Sequence, residues 1–176
     1  MPEELDVSEE VYARRSARVL LLDPENRILL FRFRHDPEAP EKGYYWATPG
    51  GGVNEGEALP MAAIRELHEE TGLVVAPGEL GPHVAMAYGY AAFTWATGVF
   101  RDDFFLHHTT GHQVDTSGFE EVEASQITEH RWWPIAELAA TTDTVYPLGL
   151  AGLLADLVEG RVPAEPVRLK WHHEES

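Results

Sequence analysis

Glu66, Glu69 and Glu70 lie within the stretch GGVNEGEALPMAAIRELHEETGL, residues 51–73, at a spacing that gathers three carboxylates on one side of a helix. At about 100° per residue they fall within an arc of about 100°, shared only with Leu59 and Ala62. Like charges this close cost roughly a few tenths of a kcal/mol in an isolated helix, so they need solvent or a cation. Mg²⁺ and Mn²⁺ favour oxygen ligands, and Mg²⁺ commonly completes its shell with water and a substrate phosphate. The chemistry these residues suit is metal-assisted work on a phosphate chain.

The rest of the segment reads as the support for that face. Pro60, Ala63, Ile64, Leu67 and Thr71 form the opposite, apolar stripe that would dock the helix on a sheet. Pro60 suits a first helical turn, and Gly72 suits the left-handed position just past the end. Arg65 stands four before Glu69 and offsets part of the repulsion. Ahead of the helix come Pro49 and the triplet Gly50, Gly51, Gly52, then Gly56 and Glu57. Glycine has no Cβ to obstruct a close backbone approach.

An isolated acidic run is ordinarily a solvated helix face. Here Gly51, Glu57, Arg65, Glu66, Leu67, Glu69, Glu70, Gly72 and Leu73 fill every specified position of the pattern G-x5-E-x7-R-E-U-x-E-E-x-G-U, where U is a bulky aliphatic residue. On these residues the chain resembles the Nudix hydrolases. The resemblance implies divalent-metal-dependent hydrolysis of a pyrophosphate bond in a nucleoside diphosphate linked to another moiety: a nucleoside triphosphate, a dinucleoside polyphosphate or a nucleotide sugar. It also implies that Glu66, Glu69 and Glu70 are the metal carboxylates, with the Gly51 loop beside them and Mg²⁺ or Mn²⁺ as cofactor. Arg65 orients Glu69, and Glu57 is a supporting residue. The general base is either Glu66 or a carboxylate from a downstream loop, where Glu121 and Glu123 are the candidates alongside Glu120. The alternative is a catalytically silent nucleotide-sensing module of the same fold, whose usual mark, loss of a box carboxylate or of Arg65, is absent.

Substrate contacts are expected from Arg32 and Arg34, which alternate with Phe31 and Phe33, and from the aromatics Trp46, Tyr88 and Tyr90. Dinucleoside polyphosphate hydrolases of the family carry a tyrosine at about the distance of Tyr90 from the box. The proline that marks its ADP-ribose hydrolases is replaced by Tyr88. His107 and His108 are adjacent and point to opposite faces of a strand, so with His112, His172 and His173 they read as surface or hydrogen-bonded histidines.

Composition narrows the class. The 176 residues suffice for one sizeable core, which predicts one domain over 1–176 with a core at about 14–160 and flexible termini. There is no Cys, hence no disulfide framework, thiolate zinc site or thiol nucleophile, and the cysteine-dependent isopentenyl diphosphate isomerase branch of the family is disfavoured. No apolar run reaches a membrane span, and the start MPEELDVSEE lacks signal-peptide order, so a cytoplasmic location is expected. A net charge of −17 disfavours nucleic-acid polymers and anionic lipid as partners. The expected partner is a small nucleotide-type substrate, with oligomeric state open and a homodimer among the options.

Along the chain, the apolar run 17–22, the turn Asp23-Pro24-Glu25-Asn26 and residues 28–33 predict a hairpin. A Pro- and charge-rich loop covers 35–43. Further strands are expected from Leu73 to Val75, at 83–90, at 99–107 and at 131–133, with 109–123 irregular. Helices are expected to open at Pro134 and at Pro147, the second ending at Gly160, and the tail after Val162 lacks periodicity. This order suggests an α/β fold with a mixed sheet, which the family resemblance sharpens to an α/β/α sandwich with the box helix on one face and the last helix on the other.

Overall fold

Odd and even residues of the first apolar run go to different places, and that division organises the molecule. In strand β1 (Arg14–Leu22), Ala17, Val19 and Leu21 enter one buried cluster while Leu20 and Leu22 enter another. Strand β2 (Arg27–Arg34) divides likewise, Leu29 and Phe31 to the first cluster and Ile28 and Leu30 to the second. A sheet buried on both faces must be covered on both. The turn between the strands is fixed by Asp23, whose carboxylate accepts from the backbone N–H of Glu25 and Arg27 and from Arg27 Nε, with Asn26 in the left-handed region at φ 59.

The computed structural model describes residues 12–171, and of 121–123 the backbone alone. After β2 come β3 (Tyr44–Ala47), β4 (Gly50–Gly52), helix α1 (Leu59–Thr71), β5 (His83–Ala92), β6 (Thr97–His108), α2 (Glu121–Gln126), β7 (Ile127–Pro134), α3 (Ile135–Ala140), β8 (Val145–Tyr146), α4 (Leu150–Val158) and β9 (Val167–Arg168). The strand order is β8-β3-β2-β1-β6-β5-β9, with β4 added to β1 and β7 added to β2. β1 runs parallel to β6, in register from Arg14 opposite Phe100 to Leu22 opposite His108, and antiparallel to β2 and β4, so the sheet is mixed.

Helix α1 sends Ala62, Ala63 and Leu67 into the cluster of Ala17, Val19 and Leu21. Leu138 of α3 and Leu150, Leu153, Leu154 and Leu157 of α4 join Leu20 and Leu22 on the other face. The expected α/β/α layering is the one observed. No helix among the described residues is long and apolar enough to cross a membrane.

Three local expectations are corrected. Residues 73–75 form no strand: Gly72, left-handed at φ 76, ends α1, Val75 drops into the core beneath that helix and Val74 points outward, 77% exposed. The stretch 109–123 is not wholly irregular, because α2 starts inside it. The tail is ordered through Trp171: β9 pairs with β5, and Trp171, 4% exposed, belongs to the α4-side core, which therefore continues past 160. Gly89 makes room for it, since a Cβ there would stand 2.4 Å from the indole.

Candidate active site

The box helix begins without a side-chain cap, with Pro60 in its first turn, and closes as Gly72 N–H donates to the His68 carbonyl at 2.9 Å. Its buried residues are Ala62, Ala63, Glu66, Leu67, Glu70 and Thr71. The carboxylate face is thus not simply solvated: Glu66 is 8% exposed and Glu70 only 2%, because β4 lies against them. Ala62, placed on that face by the helical wheel, is fully buried, while Pro60 of the apolar stripe is exposed.

The glycines make this packing possible. A Cβ on Gly51 would sit 2.7 Å from the Glu66 carboxylate, and one on Gly50, at φ 145, would meet the Ala17 carbonyl at 2.4 Å. Side chains are excluded on both counts, and the strand fits between β1 and the acidic helix face. Gly50 N–H then donates to Glu70, 3.3 Å from Oε2.

Arg65 ties the segment together. Its Nε and Nη2 donate to the two oxygens of Glu57, each at 2.9 Å, Nη2 also reaches the Gly52 carbonyl at 2.9 Å, and Nη1 donates to Glu66 Oε1 at 2.9 Å. Glu69 Oε1 is farther, at 3.5 Å, so Arg65 grips Glu66 more closely than the Glu69 it was expected to orient. The Arg65 hydrogen bonds hold the Glu57 carboxyl down at about 2, and the same pair raises Arg65 above its ordinary value. Glu57 holds Arg65 through both of its carboxylate oxygens.

Among the described residues no three carboxylate or imidazole groups are already gathered into a metal cage. Arg65 draws Glu66 and Glu69, and Gly50 draws Glu70. The donor set nevertheless fits a hard divalent cation: three carboxylates, two of them buried, beside a glycine carbonyl stretch with no side chains in the way.

Sequence reasoning missed the cations and the acid on β1 and β6 that adjoin this site. Arg18 Nη1 donates to the Thr48 carbonyl at 3.0 Å, and its Nε lies 3.6 Å from Asp102 Oδ1. Burial lowers the Arg18 pKa, but Asp102 and then Glu70 outweigh it and raise the group overall. Burial pushes Asp102 up against the pull of Arg18 and Arg14. The available signal was Arg14, Ser16 and Arg18, spaced two apart in the polar opening of a strand that turns apolar from Val19.

Residues 13–149 match the model of the NUDIX domain. The chain belongs to the Nudix family. It is 48% identical over 60 residues to the RNA pyrophosphohydrolase of Caulobacter vibrioides, a match covering 34% of this chain and 33% of that one. The chain thus spans between about a fifth and a third of the length of the curated relatives it matches. Its fold is similar to the NUDIX domain of Shewanella oneidensis NrtR complexed with ADP ribose, with a TM-score of 0.61, 14% identity, and 88% and 94% of the two chains covered. It is also similar to the E. coli dihydroneopterin triphosphate pyrophosphohydrolase, with a TM-score of 0.58, 20% identity, and 86% and 99% covered.

Within this Nudix chain the expected substrate residues scatter. Trp46 is a correction: it is 5% exposed, packs edge-on against Trp133 at 5.2 Å and donates through Nε1 to Asp143 at 3.2 Å, a core residue on the α4 side with no ring face open. Its place opposite Arg32 in the β2–β3 ladder turns it inward. Arg32 lies 3.8 Å over the Tyr44 ring and reaches Glu129 at 3.4 Å. Arg34 is half-buried, with Nε lacking a hydrogen-bond partner among the described residues. Tyr88 is covered by Arg168 at 4.0 Å, and Tyr90 is 62% exposed. Glu120 is exposed, while the side chains of Glu121 and Glu123 lie outside the described residues. His112 Nε2 meets the Thr71 carbonyl at 2.7 Å, and His108 is exposed. His172 and His173 lie outside the described residues.

Proposed function

We propose that this Nudix protein is a hydrolase that cleaves a pyrophosphate bond in a nucleoside diphosphate linked to another moiety, with Mg²⁺ or Mn²⁺ as cofactor. The single observation that carries the reading is the packing of Glu66 and Glu70 against a side-chain-free glycine strand, with Glu69 beside them and Arg65 bridging Glu66 and Glu69. Buried carboxylates are costly unless cations answer them, and Arg65 is shared among Glu57, Glu66 and Glu69. Glu66, Glu69, Glu70 and the Gly51 carbonyl would hold the metal ion. When bound, it supplies positive charge against the phosphate oxygens as negative charge develops on them.

The chain's own residues supply the rest. Arg65, clamped by Glu57, keeps Glu66 and Glu69 from swinging away, and Arg18 brings a fixed cation to the same cleft. Glu66 or a carboxylate of α2, Glu121 or Glu123, takes the proton from the attacking water. The names of the relatives, pyrophosphohydrolases among them, support this class of reaction. All box carboxylates and Arg65 are present, which favours turnover over the silent sensing module.

The test is phosphate release from a panel of nucleoside diphosphate derivatives. Activity should need Mg²⁺ or Mn²⁺, vanish in chelator, and fall about 100-fold or more in kcat for Glu69→Gln and for Glu70→Gln. Undiminished turnover in excess chelator would sink the assignment. Titrating Mn²⁺ locates the base: Glu66→Gln should weaken metal binding as well as rate, while Glu121→Gln or Glu123→Gln should lower rate, if at all, with metal affinity intact. Unchanged Mn²⁺ affinity in Glu66→Gln would remove that residue from the metal set.

A further inference from the structure

The protein has 13 Lys and Arg against 30 Asp and Glu, so cations near the box are scarce and their partners matter. Arg15 and Arg101 go to Asp103, Arg18 goes to Asp102, and Arg65 goes to the box glutamates. Arg14 has no carboxylate within ion-pair distance among the described residues. Yet it opens β1 directly beside the glycine strand: its Nε and Nη2 lie 3.7 and 3.8 Å from where a Cβ on Gly52 would be. Partial enclosure, then the like charge of Arg18, lowers its pKa against the more distant pull of Asp102 and Glu66.

Next to Arg14 stands an aromatic ring that the fold leaves in water. Trp95, in the hairpin between β5 and β6, is 63% exposed, whereas Trp46, Trp133 and Trp171 are buried. It is not loose: Phe93 stacks against it at 5.4 Å with an interplanar angle of 4°, and Phe100 meets it at 88° and 5.8 Å. The ring is therefore held flat from behind. The Arg14 guanidinium carbon is 5.7 Å from its centre, against 3.8 to 4.0 Å in the tight Arg32–Tyr44, Arg131–Trp133 and Arg168–Tyr88 contacts. Arg14 is near the ring without being seated on it.

A rigid exposed indole, a free guanidinium beside it and the acidic glycine-lined site just beyond form a line from apolar to cationic to metal-binding character. That is the sequence of groups in a nucleotide: base, phosphate chain, scissile phosphate. We infer that Trp95 and Arg14 form the docking subsite of this protein, Trp95 stacking a nucleobase and Arg14 binding the phosphate chain that leads from the base to the box. The substrate class is then a base-bearing nucleoside polyphosphate, not a base-free phosphoanhydride. The assignment rests on the proposed hydrolytic site and names what that site selects.

The experiment is calorimetric binding of α,β-methylene-ADP, and of methylenediphosphonate as its base-free counterpart, to the full chain with Mn²⁺. The nucleotide should bind more tightly than the diphosphonate. Trp95→Ala should weaken nucleotide binding about tenfold, the scale of one base–aromatic stacking contact, and leave the diphosphonate unchanged, while Trp95→Phe restores most of the loss. Arg14→Ala should weaken both ligands about tenfold, the scale of a charge-assisted contact, with Arg14→Lys intermediate. Circular dichroism melts verify that each variant is folded; Trp95→Leu and Arg14→Gln, which likewise remove the ring and the charge, serve where an alanine variant is not. Equal wild-type affinity for the two ligands, nucleotide binding indifferent to Trp95→Ala, or binding of both ligands indifferent to Arg14→Ala would overturn the subsite. If binding follows this pattern but no panel substrate releases phosphate, the proposed hydrolysis fails and the subsite stands. Turnover with a KM untouched by Trp95→Ala gives the reverse.

Discussion

Arg65 is the residue on which the candidate site turns, because one guanidinium joins the Glu57 loop, the Gly52 carbonyl and the helix carboxylates at once. Arg is suited to this by its rigid, planar set of donors, and a lysine in its place would keep the charge and lose the fork. Gly51 is the second such residue, and it yields a sharper test. Its backbone is not in the left-handed region, so Gly51→Ala adds no backbone strain, and the new methyl acts only by pressing on the Glu66 carboxylate 2.7 Å away. Displacements of about 1 Å at a reacting site can cost about 100-fold, so Gly51→Ala should lower kcat by about that factor while its thermal melt stays near wild type. Steady-state kinetics beside a melting curve decides it, and near-full activity in Gly51→Ala would mean that Glu66 does not need its present position.

At the level of elements, β6 carries adjacent acids that face opposite sides of the sheet: Asp102 toward Arg18, Asp103 toward His83, Arg15 and Arg101. Asp103 is wholly buried; burial raises its pKa, but His83 and then Arg101 and Arg15 outweigh that and hold it below its usual 3.8. A depressed folded-state pKa contributes stability that is present above about pH 3.8 and lost as pH falls further. Asp103→Asn should therefore cost about 3 kcal/mol at neutral pH and flatten the acid limb of the stability profile, read by denaturant unfolding at pH 7 and below pH 3. The legibility of the elements follows the same physics. The β1–β2 hairpin and the helix of the box were readable because periodicity and turn chemistry are local. The strand expected at 73–75 failed because an apolar run this short can send Leu73 and Val75 toward the core and Val74 to solvent without pairing. Arg14, Arg18 and Asp102 escaped notice because their meaning comes from a parallel β1–β6 register between residues far apart in sequence. Trp46 misled because an aromatic beside a glycine loop looks the same from sequence whether it faces substrate or core.

On the scale of the whole molecule, a chain of net charge −17 repels the anions it is proposed to bind, and Arg14, Arg18 and a divalent cation held by the box carboxylates would offset that field locally. Added salt screens the unfavourable field of the rest of the surface, so moderate salt should not abolish association as it does for a basic protein. The far end of the chain is bound into this architecture as firmly as any strand: Trp171 stacks on Phe100, donates to the Tyr90 carbonyl and fills the space over Gly89, while β9 borders β5. A fragment ending at Gly160 would lack a buried tryptophan and should lose about 3–5 kcal/mol in denaturant unfolding, with no catalytic group removed. Phe100 and β5, which frame the nucleobase platform at Trp95, are themselves covered by Trp171 and β9, which follow them far along the chain. Trp171 thus closes a contact between residues some eighty positions apart, and the surroundings of the Trp95 platform are complete only with that indole in place.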